Sequence, residues 1–363
     1  MMTPDNLLKE LCAAHGPSGF ESNVADLVER LAAPYVDELR RDALGNLIAR
    51  KKGQREGASI MMAAHMDEIG FLVSGRKESF LQVAAVGGLD PRVLPGQEVW
   101  VHGREKLKGI VASLPPHVLS QEDRGKVAQI HQLYVDVGLG EEALSEKVRV
   151  GDPVTMAVES VSMKGGCMSG KSMDDRAGLA CMLLALSRLA AMKHPWDVYA
   201  VATVQEEVGL KGAQVSAFGV EPTVAIAIDV AHGNMPGTDE GDTVDFRKGP
   251  AIAFGPNISP VVCERLTATA DKHGIPWQRE AVPGRSGTDA WSMQVVRSGI
   301  PTAIVGLPLR YMHTAVEMIH LKTVERAARL LASFSAELGE EALQWVGLSP
   351  VDLEARRRGE KDD

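Results

Sequence analysis

Residues 58–70 read ASIMMAAHMDEIG. Ala58 to Ala64 form a nearly continuous apolar run, the composition of a strand buried on both faces, and His65 and Asp67 follow at its end. A strand covered on both sides needs helices above and below it, and the chain on either side supplies them. Thr3 before Pro4 makes a helix start, with Leu7, Leu8, Leu11 and Cys12 at helical spacing, and a second helix is expected over about 22–33. Strands over about 35–39 and 46–51 are joined through a turn at Gly45. After position 162, helices over 175–192, 260–273, 290–297 and 321–338 alternate with strands over 197–205, 225–230 and 301–305. That alternation predicts an α/β fold with a mostly parallel sheet flanked by helices.

Between about Gly70 and Val161 the texture changes. Short stretches such as FLVSG, EVWVHG, HQLYVDVG and DPVTMAV alternate with Gly, Pro and charged turns, and no helix longer than about ten residues is apparent. An inserted all-β module is therefore expected over 70–161, interrupting a discontinuous α/β domain of 1–69 and 162–345. Residues 346–363, ending RRRGEKDD, are expected to form a loose charged tail. A length of 363 residues agrees with two domains, since a single core rarely grows past roughly 250–300 residues.

Composition narrows the function. Hydrophobic residues make up 45% and charged residues 24%, as in ordinary soluble globular proteins. The net charge of −9, with Lys and Arg scattered, opposes binding to nucleic acid or an anionic membrane. Cys12, Cys167, Cys181 and Cys263 form no CxxC pair and read as reduced thiols. The first residues lack a basic segment followed by an apolar one, and no apolar run approaches the roughly 18 residues of a membrane span, so a cytoplasmic location is expected.

The candidate chemistry lies in AHMDEIG around His65 and Asp67, SMDDRAG around Asp174, QEEVG around Glu206 and Glu207, AIDV around Asp229 and YMHT around His313. Two imidazoles and three carboxylates are the N and O donors that zinc, cobalt and manganese accept, and a shared carboxylate can hold two such ions about 3.5–4 Å apart. His65 and Asp67 lie two apart, so on an extended strand both point to one side and the carboxylate can take the second imidazole N–H. Each segment also has a plainer explanation. Asp174 or Asp175 could simply cap the helix that follows. Asp229 could be a buried hydrogen-bond acceptor, and His232 and His320 compete with His313. Glu206 and Glu207, adjacent after the apolar stretch DVYAVATVQ, repel one another unless a cation is near. The segments fall at successive elements of an α/β sheet, whose carboxyl edge is where ligands gather, and that convergence favours a metal site.

Taken together, AHMDEIGF, DDRAG, QEEVGLKGA, IDV and RYMHTAVEMIHL resemble metallopeptidase family 42, the tetrahedral, deblocking or glutamyl aminopeptidases, also labelled cellulase or endoglucanase M. GPSGFE at 16–21, GDPVT at 151–155, RKGPAI at 247–252 and SGTDA at 286–290 extend the likeness to nearly the whole chain. The resemblance implies an aminopeptidase with two divalent ions per subunit, zinc or cobalt foremost and manganese next. One ion would be held by His65, Asp174 and Asp229, the other by Asp174, Glu207 and His313, with Asp174 bridging. Glu206 would be the general base and Asp67 would orient His65. It also implies that 70–161 is a barrel-like dimerisation domain, that dimers build a tetrahedral dodecamer, and that short peptides are the substrates. Ser172 and Met173 stand where Ala-Leu is more usual, and PGRSGTDA stands where a GG-type turn is common, which leaves the ligands untouched. Two other readings are a glycoside hydrolase, which needs paired carboxylates and no transition metal, and a non-catalytic metal-binding assembly protein.

Overall fold

Every position of Ser59–His65 is buried, and the strand it forms is the spine of the protein. The computed structural model describes residues 2–345 and 347, apart from 56 and 240. The charged tail expected over 346–363 lies outside the described residues except for Gly347. In chain order the strands are β1 (Glu38–Arg41), β2 (Leu47–Lys51), β3 (Ser59–His65), β4 (Gly70–Lys77), β5 (Phe80–Val86), β6 (Glu98–His102), β7 (Lys106–Ala112), β8 (Tyr134–Asp136) and β9 (Pro153–Met156). They continue with β10 (Val161–Met163), β11 (Cys167–Gly170), β12 (Asp197–Thr203), β13 (Val224–His232), β14 (Ala251–Phe254), β15 (Gln278–Ala281), β16 (Thr302–Arg310) and β17 (Glu317–His320).

One large sheet runs β1-β2-β12-β3-β13-β16-β17-β11-β10, with β14 also on β16 and β15 on β14. Its four central strands, β12, β3, β13 and β16, are parallel. The strands flanking them pair antiparallel, and only the side strand β15 adds a further parallel pair, with β14, so the sheet is mixed rather than mostly parallel. The reason is connection length: β1–β2 and β16–β17 are joined by short links, which reach only an antiparallel neighbour, whereas parallel neighbours need a long crossover. The β16–β17 link carries His313.

Helices cover the sheet. Met173–Leu189 packs on β3 and β13 and is buried along nearly its whole length, which is why its sequence shows no polar face. It is flanked by Pro4–Ala13 and Leu321–Glu337. The first of these starts as its sequence implies, with the Thr3 side chain accepting from the Asn6 N–H and Pro4 at the first turn. Its C-terminal carbonyls are met by Arg176, a fully buried guanidinium that donates to Leu11 O at 2.6 Å and Ala14 O at 3.0 Å. The helix expected over 290–297 is only Ala290–Met293.

Strands β4 to β9 close into a barrel in the order β4-β5-β8-β7-β6-β9. It has a core of its own, including Phe71, Val73, Leu81, Val99, Val135 and Val154. The module is not all-β as expected, because a short helix, Glu141–Lys147, seats Leu144 in that core. Ala315, from the β16–β17 link, belongs to that core. Val161 lies in β10 and so belongs to the large sheet. All four cysteines are buried and unpaired. Among the described residues no helix is long and apolar enough to cross a membrane.

Candidate metal centre

The carboxyl ends of β3 and β12, the later half of β13 and the β16–β17 link meet at one largely buried point, with His313 half-buried at its rim. His65 ends β3, with Nε2 3.0 Å from Asp174 Oδ1. Its Nδ1 lies 3.1 Å from the Asp67 main-chain oxygen and 3.5 Å from the Asp67 carboxylate. The chain just past the end of β3 thus fixes which ring nitrogen faces inward.

Asp174 opens the helix Met173–Leu189, and the capping ambiguity resolves in favour of its neighbour. Asp175 Oδ1 accepts from the Gly178 N–H at 2.9 Å, which leaves the Asp174 carboxylate free of the helix end. Asp174 instead faces both histidines, with Oδ1 3.0 Å from His65 Nε2 and Oδ2 3.3 Å from His313 Nε2. His313 Nε2 is also 3.3 Å from Glu207 Oε1, and its Nδ1 is 2.9 Å from the Gly88 carbonyl oxygen. The barrel, which ends β5 just before Gly88, therefore aims the ring. Spacing alone does not separate His313 from its competitors; the family resemblance selects it, and the fold supplies the physical reason: His232 is exposed at the end of β13, and His320 packs against Phe246 with its ring centroid 6.5 Å away.

Glu206 and Glu207 follow β12. Their backbone N–H groups donate to Asp67 Oδ1 at 3.0 Å and Asp67 Oδ2 at 3.1 Å, and Ser18 Oγ donates to Oδ2 at 2.6 Å. Asp67 thus holds the Glu206–Glu207 turn as well as standing beside His65. Asp229, in β13, accepts from the Val230 N–H at 2.7 Å. Ligand atoms of His65, Glu206 and Glu207 lie within 4.8 Å of one another, as do those of His65, Asp175 and Asp229 and those of Asp174, Glu207 and His313. All seven residues singled out in the sequence are brought together. Asp175 joins them without having been anticipated as a donor.

A second layer explains segments that had no assigned purpose in the sequence. In GPSGFE, Ser18 serves Asp67, and Glu21 Oε1 accepts from Gln205 N at 3.0 Å and Gly19 N at 2.8 Å. Glu68 accepts from Gly16 N at 3.0 Å, Lys171 Nζ at 2.6 Å and Ser172 Oγ. Ser172, Gln205 and His313 have φ of 59°, 56° and 61°, a left-handed region uncommon for residues other than glycine. Such conformations gather where surrounding contacts over-determine them, here in three segments that carry donors.

The electrostatics favour cations. Asp67, Asp174, Asp175, Glu206, Glu207, Asp229, Asp289 and Glu317 are buried or nearly so around two imidazoles. Burial pushes Glu206 up to about 10, with Asp229, Asp289 and Glu207 adding to the rise against the pull of His65. Burial likewise raises Glu207, Asp175 and Asp229, and lifts Asp289 to about 6. His313 is raised to about 11 by its hydrogen bonds to Asp174 and Glu207. Burial works against a charged Asp174, yet the bonds from His313 and His65 outweigh it and hold this carboxyl below its usual range. So many desolvated carboxyl groups repel unless cations compensate, and N and O donors at these separations suit divalent ions.

The sequence profile described as M42 glutamyl aminopeptidase matches residues 45–330. The chain is 36% identical to a lysyl aminopeptidase of Pyrococcus furiosus, over 92% of this chain and 96% of that one. In three dimensions it is similar to an aminopeptidase of the archaeon Desulfurococcus kamchatkensis, with a TM-score of 0.87, 37% identity, and 94% and 96% of the two chains covered. It is also similar to the Pyrococcus horikoshii TET1 peptidase, which can assemble into a tetrahedron or a large octahedral shell, at a TM-score of 0.83, 31% identity, and 93% and 100% coverage.

Proposed function

The chain belongs to the M42 glutamyl aminopeptidase family and is a peptidase, and on that premise we propose that it releases N-terminal residues from short peptides, with two divalent ions as cofactors and Glu206 as general base. One ion is assigned to His65, Asp174 and Asp229, the other to Asp174, Glu207 and His313. When bound, such ions polarise the scissile carbonyl and lower the pKa of water towards neutrality. Zinc and cobalt suit the donor set best, with manganese next.

The observation that carries this reading is the division of labour between carboxylates. Asp174 turns one oxygen to each histidine, the arrangement of a bridging ligand. Glu206 lies beside His65, yet among the described residues its carboxylate has no hydrogen-bond partner. With cations bound to offset the burial that raises its pKa, a group left free in this way can take a proton at Oε1 or Oε2 from the attacking water and return it to the leaving amine. Asp67, by holding the Glu206 N–H, sets where that carboxylate stands.

The barrel and the catalytic part are proposed as separate domains, 70–161 and the discontinuous 1–69 with 162–345. The barrel is the surface proposed for dimerisation, and assembly of dimers into a tetrahedral dodecamer is proposed from the TET likeness. A cytoplasmic location remains part of the same proposal.

Glu206→Gln tests the assignment. It keeps the shape and removes the proton carrier, so both ions are retained while turnover falls by roughly 10²–10⁴-fold. Near-normal turnover in a metal-replete Glu206→Gln protein would remove Glu206 from the role.

A further inference from the structure

Glu317 opens β17 four residues after His313 and is 2% exposed. Its Oε1 accepts from the His313 N–H at 2.8 Å and its Oε2 from the Asp174 N–H at 3.2 Å. The two amides it holds belong to residues 139 positions apart (174 and 313), both assigned above to the second ion. The sheet explains how it reaches both: Gly170, at the end of β11, pairs with Glu317, and the chain then runs through Lys171 and Ser172 to Asp174.

We propose that Glu317 is a positioning residue for the second ion, clamping the main chains of Asp174 and His313 so that Oδ2 of one and Nε2 of the other converge. The inference rests on the two-ion reading given above. His313 has a φ of 61° and the approach to Asp174 passes through Ser172 at 59°, so each donor sits at or just after a backbone conformation that local preference does not select. A hydrogen bond to each amide supplies that selection. Among the described residues no Lys or Arg pairs with Glu317, and these two N–H groups are the hydrogen-bond donors its buried oxygens meet. The carboxylate is needed because two N–H groups call for two acceptor oxygens. A Gln offers one oxygen and turns its NH2 towards the other amide.

The test is stepwise Co(II) uptake by metal-stripped protein, followed by metal mass spectrometry after dialysis, with turnover measured at limiting and excess cobalt. Wild type takes up two ions per chain. Glu317→Gln binds the second ion, which loses the placement of both Asp174 and His313, about 10–100-fold more weakly, weakens the first, which shares only Asp174, by clearly less, and excess cobalt restores turnover. Second-ion affinity within about twofold of wild type would overturn the inference, as would equal weakening of both ions, the signature of a merely structural role. Glu317→Asp, with both oxygens on a shorter arm, falls between the two and provides the same comparison should the Gln variant fail to fold; wild-type second-ion affinity in the Asp variant would also overturn the inference. Fewer than two ions in the wild type would overturn the two-ion reading itself, and this inference with it. Two ions in the wild type with unaltered uptake in the variants would overturn this inference alone.

Discussion

Replacing Asp67 with Asn preserves shape and removes one acceptor from a fully buried group. Oδ1 serves the Glu206 amide at 3.0 Å, while Oδ2 serves the Glu207 amide at 3.1 Å and the Ser18 hydroxyl at 2.6 Å. With the Asn oxygen kept towards Glu206, the new NH2 faces the Glu207 N–H. Ser18 can rotate its hydroxyl to accept, but the backbone amide cannot. One buried donor is left unpaired, at a cost of about 1–3 kcal/mol, and the bonds that remain lose the strengthening of a charged acceptor. The turn then relaxes around Glu206 and Glu207, and residues behind metal ligands characteristically lose about 10–100-fold in metal affinity or activity when altered. The assay is steady-state cleavage of an aminoacyl p-nitroanilide at saturating cobalt, which separates weak metal binding from a misplaced base. The expected result is a kcat lowered by about 10–100-fold with KM near the wild-type value. A kcat within about threefold of wild type under full metal occupancy would refute the reasoning.

Asp174→Ala removes the carboxylate that faces both histidines, so both ions should be lost and metal mass spectrometry should find close to none bound; full occupancy would rule out a shared ligand. In β15, where the Glu280 carboxylate reaches Gly306 beside Asp229, burial alone pushes Glu280 up from 4.5 to about 7, and among the described residues no Lys or Arg pairs with it. The folded form therefore binds this proton more tightly than the unfolded chain, so the group's contribution to stability is greatest below about 4.5, declines as pH rises towards about 7 and is flat above. The full difference is at most about 3 kcal/mol. Glu280→Gln, which cannot ionise, should raise the melting temperature at pH 8 and have little effect at pH 4, as read by a pair of thermal melts. An equal change at both values would show that Glu280 does not titrate in this way.

The parts of the fold legible in the sequence are those with long, unambiguous burial. SIMMAAH and VAIAIDVAH are too apolar to be anything but central strands, and the Leu-rich run after Asp175 is a helix buried all round. The four-residue strands Cys167–Gly170, Ala251–Phe254, Gln278–Ala281 and Glu317–His320 were not legible, because four residues carry no usable period. These strands include part of the antiparallel edge that makes the sheet mixed. The donors were readable as residue types at strand and helix ends. Spacing alone left Asp174 against Asp175 and His313 against His232 and His320 open, and the family resemblance made both choices; the physical reasons lie in the Gly178 amide and in the Gly88 carbonyl, 225 positions from His313. Glu317 and Glu68 carry no local signature, since their partners come from distant segments. GPSGFE was conspicuous, but its use became clear only when Ser18 reached Asp67.

The most direct measurement is cleavage of a panel of aminoacyl p-nitroanilides, with N-acetylated controls, by the protein as purified, after exhaustive EDTA treatment, and during stepwise return of zinc or cobalt. Activity that requires a free α-amine, disappears with chelation and returns as two ions per chain are bound is the predicted result. Undiminished cleavage by protein shown by mass spectrometry to hold no metal, or no cleavage of any substrate in any metal state, would contradict it.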